Sequence, residues 1–216
     1  MREYHKIQTI YKRDEKGAII LGAFATPEIE YLAELEWAWT EKIDGTNIRV
    51  MYDGERITFG GKTDNAQIPA FLFSRLQELF PNTKKFEGLW PAEEPGDYPE
   101  VCLYGEGYGN RIQKVGKEYI PDGVDFILFD VKVGSWWLKR KDMEEIAAAF
   151  GLRVVPIVLI GDIHEAVLNM EYDQPSTIGS APLEGLVGKP MIELHDRAGR
   201  RIITKIKRRD IARLSP

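Results

Sequence analysis

Cysteine is almost absent from the 216-residue chain. Cys102 stands alone, so an internal disulfide is impossible and a reducing compartment fits. Histidine is scarce too. His5, His164 and His195 lie far apart, and none has metal-ligand spacing with Cys102, which argues against a zinc site. Long apolar runs are missing. "VVPIVLI" and "DFILFDV" fall far short of a membrane span, and the opening "MREYHKIQTIYKRDEKG" lacks the apolar stretch of a secretory leader, so a cytoplasmic protein is expected. There is no overall excess of positive charge. The net charge of −5 weighs against a protein that coats nucleic acid, yet leaves room for a local basic face.

That face is present at the C-terminus. "GRRIITKIKRRDIAR" holds Arg200, Arg201, Lys205, Lys207, Arg208, Arg209 and Arg213 against the single acid Asp210. Alone, such a run reads equally well as a solvated terminal element. With 44% hydrophobic residues, the rest of the chain can bury a sizeable core.

Strand signals dominate. "EWAWTEK", "TNIRVMYD" and "ERITFGGK" are short runs separated by Asp44-Gly45 and Asp53-Gly54, which predicts a meander of hairpins. Helices are expected over 70–80, where Leu72, Leu76 and Leu79 share a face before Pro81, and over 141–152, where Met143, Ile146, Ala147 and Phe150 do so before Gly151. "IHEAVLNM" reads as a short helix and 88–100 as a surface loop. "VCLYGEGYG", "VDFILFDVKV", "RVVPIVLIG", "PLEGLVGKPMIEL" and "RRIITKIK" read as strands, with Pro156 marking an edge or bulge. Without regular βαβ alternation, the fold class is α+β with a large antiparallel sheet system.

Two nucleotide-binding readings fail. Glycines 105, 107 and 109 give G-x-G-x-G, not the dinucleotide spacing, and "GLVGKP" lacks the phosphate-loop spacing and its Ser/Thr. Alternation is more informative. Lys205 and Lys207 share one face with Ile203, while Ile202 and Ile206 share the other. Paired lysines on a strand suit a phosphate, though an exposed edge strand guarded by lysines gives the same pattern. Glu106 and Glu184 each precede a glycine in apolar surroundings. Taken singly, exposure by alternation accounts for each.

In chain order the sequence offers "EKIDGTN" (41–47), "GGKTDN" (60–65), "LYGEGYG" (103–109), "FILFDV" (126–131), "LEGLVGK" (183–189) and "ITKIK" (203–207). This series resembles the covalent nucleotidyltransferase superfamily of polynucleotide ligases and capping enzymes, and most of all its ATP-dependent RNA ligases. The first motif of that group often ends in Asn, here Asn47. The resemblance spans about 41 to 207.

The resemblance implies a nucleotidyltransferase (ATP-grasp-like ligase) domain of mostly antiparallel sheets with flanking helices and no OB-fold. One domain is expected over 1–216, with an N-terminal extension at 1–35 and a basic tail at 208–216 standing in for a nucleic-acid-binding domain. It implies that Lys42 attacks the α-phosphorus of ATP to give lysyl-AMP. A free lysine, with its reference pKa of about 10.4, is protonated at neutral pH. Neighbouring cations, here Lys205 and Lys207, and partial burial favour the neutral amine. The same two lysines would neutralise the transferring phosphate and the pyrophosphate.

By the same resemblance Glu106 accepts a ribose hydroxyl and Phe126 stacks on adenine, with Phe129 as the fallback. Alternation sets the two rings on opposite faces, so one of them belongs to the core. Asn47 contacts ribose or phosphate, Lys62 touches phosphate and Glu41 faces the adenine edge. Mg²⁺ (or Mn²⁺) bridges phosphate oxygens near Glu184, and Asp44 orients the lysine or holds water on the metal. The expected activity joins 3′-OH and 5′-phosphate RNA ends, with RNA ends or nicked duplex as partner. A small DNA nick ligase and a nucleotide- or RNA-binding pseudoenzyme are the alternatives.

Overall fold

The computed structural model describes residues 3–92, 94 and 96–211. Its chain forms two compact units. One comprises 44–155 together with the N-terminal residues up to Tyr4, and the other comprises 5–43 and 156 onward. The architecture is mixed α+β with mostly antiparallel sheets, as expected.

The first unit is built on a sheet whose strands run in the order Arg153–Val154, Val124–Val133, Val101–Gly109, Thr46–Tyr52, Ile57–Gly60, with Trp136–Trp137 added on Val124–Val133. The period of two sorts every strand. Ile48, Val50 and Tyr52, Val101 and Leu103, and Phe126, Leu128 and Val131 share a wholly buried core with Leu72 and Leu76 of helix Ala70–Leu79, Phe86 of helix Lys84–Leu89 and Met143, Ala147 and Phe150 of helix Arg140–Phe150. The residues between them, Asn47, Arg49, Cys102, Tyr104 and Glu106, pair across Thr46–Tyr52 and Val101–Gly109 on the opposite face. One irregularity resets the alternation. Tyr104 pairs with Asp130 and Gly105 with Leu128, so Phe129 is the extra residue of a bulge.

The glycines of "YGEGYG" have a packing reason. A Cβ on Gly105 would lie 2.3 Å from the Phe126 ring, and one on Gly107 would lie 2.5 Å from Leu72. They let a ring and a helix close on the strand. The 140–150 helix ends on Gly151 at φ 72°, as its sequence predicts.

The second unit carries a five-stranded sheet in the order Gln8–Thr9, Thr204–Lys207, Gly185–Pro190, Trp37–Glu41, Ile157–Gly161. Trp37 and Trp39 stack with centroids 5.8 Å apart, and both are fully buried beside Leu186 and Ile206. Their indole N–H groups donate to the carbonyls of Leu32 and Gly161. Helix Ile163–Asn169 starts with a capping box between Asp162 and Glu165.

Four expectations change. Asp44-Gly45 is not a hairpin turn, because Trp37–Glu41 pairs with Gly185–Pro190 and Ile157–Gly161 while Thr46–Tyr52 belongs to the other sheet. The glycine answers a close approach instead: a Cβ on Gly45 would lie 2.4 Å from the Gly107 carbonyl and 2.6 Å from Glu106 Cγ. "RVVPIVLIG" is not one strand. Pro156, which has no N–H to give a ladder, separates Arg153–Val154 from Ile157–Gly161, and these join different sheets. Residues 88 and 89, expected to open the 88–100 loop, instead close the helix Lys84–Leu89. The segment 1–35 is no appendage: Gln8–Thr9 is the edge strand beside Thr204–Lys207, and Ile10, Ile29 and Leu32 enter the core. The Asp53-Gly54 hairpin forms as expected, with Tyr52 paired to Ile57.

Candidate active site

In the five-strand unit, three strand ends bring the charged groups of three motifs together. Lys42 follows strand Trp37–Glu41, Glu184 precedes Gly185–Pro190 and Lys207 ends Thr204–Lys207. Pairing fixes them. The Lys42 N–H donates to the Gly185 carbonyl, the Arg208 N–H donates to the Glu184 carbonyl, and Gly185 lies opposite Lys207. The side chains then meet. Lys42 Nζ lies 2.5 Å from Glu184 Oε2, and Lys207 Nζ lies 2.8 Å from Glu184 Oε1. Exposures of 23%, 18% and 19% keep the cluster within reach of solvent. Lys205, half-buried opposite Val187, shares the face of Lys207, while Ile206 turns into the core.

Glu41 has a setting that its sequence position did not reveal. It continues the alternation of Trp37 and Trp39 and is 1% exposed. A buried carboxylate needs donors. The hairpin-like segment 174–183 supplies them: Ser176 Oγ donates to Oε1, while the Thr177 N–H (2.9 Å) and Thr177 Oγ1 (2.5 Å) donate to Oε2. Nothing in "QPSTIG" marks these two residues beforehand, since Ser and Thr in a Pro/Gly-bounded loop are ordinary turn formers.

The other unit presents a polar sheet face. Asn47 and Glu106 are cross-strand partners, and the Asn47 side-chain oxygen is buried without a hydrogen-bond partner. Beside them, Gln113 donates to the Gly45 carbonyl, and the Asp44 N–H donates to the Tyr119 hydroxyl. An orphaned acceptor next to a carboxylate, walled by a glycine that admits no Cβ, fits a hydroxyl-bearing ligand such as a ribose.

Phe126 does not belong to this face. Its ring is fully buried among Phe80, Leu128 and Leu72, on the side of the sheet opposite Glu106, so the expectation that it stacks on a base is corrected. Phe129 faces the other way, as alternation requires, and the bulge there returns Val131 to the core side. The Phe129 ring meets Tyr4 edge-on at 5.1 Å, beside Tyr104 and Trp137, and Tyr4 donates to Asp130 at 2.7 Å. Lys62 lies exposed on the 60–65 loop.

The basic C-terminus is largely neutralised within its own unit. Arg200 pairs with Asp196, Arg201 with Glu193, Lys207 with Glu184 and Arg208 with Asp173. Arg209 is exposed, and Arg213 lies outside the described residues. Among the described residues no group of three or more His, Cys, Asp or Glu could hold a metal, and no helix is long and apolar enough to cross a membrane.

Among solved structures, a Naegleria gruberi RNA ligase variant with ATP and Mn is similar, at TM-score 0.63 and 19% identity over 96% of this chain and 63% of that one. The N. gruberi RNA ligase with PPi gives TM-score 0.60 and 22% identity over 94% and 61%. An apo variant of N. gruberi RNA ligase R4a gives 0.63 and 20% over 87% and 54%. The chain thus spans 54–63% of the length of these proteins, and at such identities the likeness concerns the fold. No curated protein matches the sequence. The sequence profile of the RNA ligase family matches residues 35–207, a stretch that holds Lys42, Glu106, Glu184 and both strand lysines; the chain belongs to the RNA ligase family.

Proposed function

We propose that the protein is an ATP-dependent RNA ligase with a nucleotidyltransferase domain, joining 3′-OH and 5′-phosphate ends through lysyl-AMP. The observation that carries this reading is the Lys42–Glu184–Lys207 cluster. Lys42 Nζ attacks the α-phosphorus of ATP. The N–P bond forms, the bond to the β-phosphate oxygen breaks and pyrophosphate leaves. The amine must first lose a proton and leave Glu184. Part-exposed ion pairs of this kind are held weakly enough to open. Lys205 and Lys207 then face the charge that develops on phosphate and leaving group. AMP passes to the 5′-phosphate of the RNA, and the 3′-OH displaces it.

Glu106 and Asn47 would hold the ribose, Lys62 a phosphate, and Phe129, in place of Phe126, the adenine ring. Glu41, with three donors on its carboxylate, keeps one lone-pair site for the adenine edge. A divalent ion, Mg²⁺ or Mn²⁺, would neutralise phosphate charge. Glu184 and Asp44 are the carboxylates that the resemblance offers for it, and substrate oxygens would complete the shell. Related N. gruberi structures with ATP and Mn support both ligands. RNA ends or a nicked duplex are the substrate of this reading.

The test is incubation with α-labelled ATP and Mg²⁺ followed by denaturing electrophoresis, then sealing of pre-adenylylated nicks that differ only in the last sugars before the break. Covalent label and a requirement for ribose on the 3′-OH side are expected, because the 2′-OH is a handle by which a protein reads RNA. Absence of label overturns the reading. Equal sealing of all-DNA nicks favours a DNA nick ligase.

A further inference from the structure

The loop 60–65, "GGKTDN", is exposed from Lys62 through Asn65, yet a wholly buried arginine fastens it. Arg49 lies mid-strand on the polar sheet face. Its Nε donates to the Gly61 carbonyl at 2.8 Å, and its Nη2 donates to Asp64 Oδ1 at 2.7 Å. These two anchors bracket Lys62. The Asp64 N–H adds a third, donating to Glu3 Oε1 at 3.1 Å. Gly60 lies opposite Arg49, and a Cβ there would stand 3.0 Å from Nη2, so the glycine leaves room for the guanidinium. Lys62 itself has no hydrogen-bond or ion-pair partner among the described residues.

This arrangement is costly to the fold. A buried guanidinium is stable only when its donors are met, and Nη1 of Arg49 has no partner. Asp64, the counter-charge, is 78% exposed, so the pair gains little from burial on that side. An apolar residue at 49 would serve the sheet better. What the fork achieves is position: it holds a short polar loop, which would otherwise move, so that one unpaired cation stands at a fixed place.

We propose that Arg49 is a positioning residue that acts through Lys62, making loop 60–65 a preorganised site for a phosphate group of the nucleotide. The proposal rests on the reading of Lys62 as a phosphate contact. Gly60, Gly61, Lys62 and Asp64 each acquire a role in it: room, acceptor, cation and anchor.

The sign of the Asp64 effect separates this from a general charge effect. If Asp64 were only an acid near an anion site, its removal would tighten phosphate binding. As an anchor, its removal must weaken it. Binding of inorganic tripolyphosphate is measured by calorimetry on the full chain, alongside thermal unfolding. Asp64→Ala should weaken binding by about an order of magnitude, as should Lys62→Ala. The double variant should bind no worse than Lys62→Ala alone, as expected for coupled residues. Asp64→Asn, which still accepts from Nη2, should bind at least as well as wild type. Arg49→Lys, which keeps the charge and loses the fork, should fall with Asp64→Ala. Tighter or unchanged binding by Asp64→Ala, or additive losses in the double variant, overturns the proposal. Because the readout is binding, a protein that shows this pattern but takes no label from ATP refutes the ligase reading and leaves the anchor standing.

Discussion

The Lys42–Glu184–Lys207 cluster and the Arg49–Asp64 fork are both ion pairs of about the same length, and they differ in where the sheet puts them. The first lies at strand ends, with all three side chains about one-fifth exposed. The second starts from mid-strand, with its arginine 1% exposed. A pair at a strand end can open, because water takes over its charges. A buried arginine cannot lose its partner without leaving charge unpaired in the fold. Groups that must change partners during a reaction therefore suit strand ends, and groups that only hold suit the middle. The consequence is measurable: substitutions in the first cluster should remove activity and spare stability, while those in the second should affect both.

The largest expected effect is at Lys42. Lys42→Ala should abolish transfer of label from α-labelled ATP to protein, and its melting temperature should stay near wild type. Glu184 keeps Lys207 as a partner, and little packing is lost. Persistent labelling would sink the assignment of the nucleophile. A collapse in stability would break the contrast drawn between strand ends and strand middles.

Next come the strand lysines. Lys205→Ala and Lys207→Ala should each slow self-adenylylation by orders of magnitude, since a donor aimed at developing charge is worth roughly 3–4 kcal/mol. Unfolding in urea should hardly change. If both variants label at the wild-type rate, the lysines return to the role of guarding an exposed strand.

Much of this was legible in the sequence. Alternation in "ITKIK" separates Lys205 and Lys207 from Ile206, and helix spacing gives Leu72 and Leu76 to the core, as the structure has them. Motif order points to Lys42 and Glu184, which meet at 2.5 Å although 142 residues separate them. What stayed hidden depends on pairing partners. "KIDG" looks like a hairpin because Asp-Gly usually makes one, and nothing local says that the flanking strands belong to different sheets. Alternation alone sets Phe126 and Phe129 on opposite faces, but which of the two enters the core depends on the neighbouring helices, and only the register against Tyr104 and Gly105 reveals the bulge at Phe129 that returns Val131 to the core side. Arg49 was within reach. An arginine alternating with Ile48 and Val50 must share the face of Asn47, but its partners on the 60–65 loop are long-range facts.

The two carboxylates of the second unit extend the comparison at smaller scale. Glu41 is buried and held by hydroxyls, whereas Glu184 is part-exposed and held by lysines. Ser176→Ala and Thr177→Val should each destabilise the fold by about 1–3 kcal/mol, the usual cost of leaving a buried polar group short of a partner. Glu184→Gln should shift the urea midpoint far less while still impairing labelling. Equal stability losses at the two sites would show that exposure does not govern the outcome here.

The smallest effect concerns the polar sheet face that carries Arg49. Cys102 lies on it, beside Met51 and Lys132 in the ladder, and is 2% exposed. Burial pushes its thiol up from 9.0 to about 11, against smaller opposing pulls, first from a hydrogen bond with Tyr104 and then from charges that include Arg49 and Lys132. Reaction with a thiol reagent at pH 8 should therefore be slow in the native protein, because only roughly a thousandth of the thiol is ionised and the sulfur is covered. The sign of the stability effect follows from the same shift. The folded state holds the proton more tightly, so this contribution is complete below the unfolded value and is lost as pH rises from about 9 towards about 11. Urea unfolding across that window should show the decline in wild type and less of it in Cys102→Ala. Tyr104, whose hydroxyl burial also pushes upward, adds a similar slope starting from its own higher ordinary value, so the variant's remaining slope should begin nearer pH 10. Fast modification at pH 8 would mean that this face opens readily. That outcome would also remove the reason to regard the Arg49 fork as a fixed anchor.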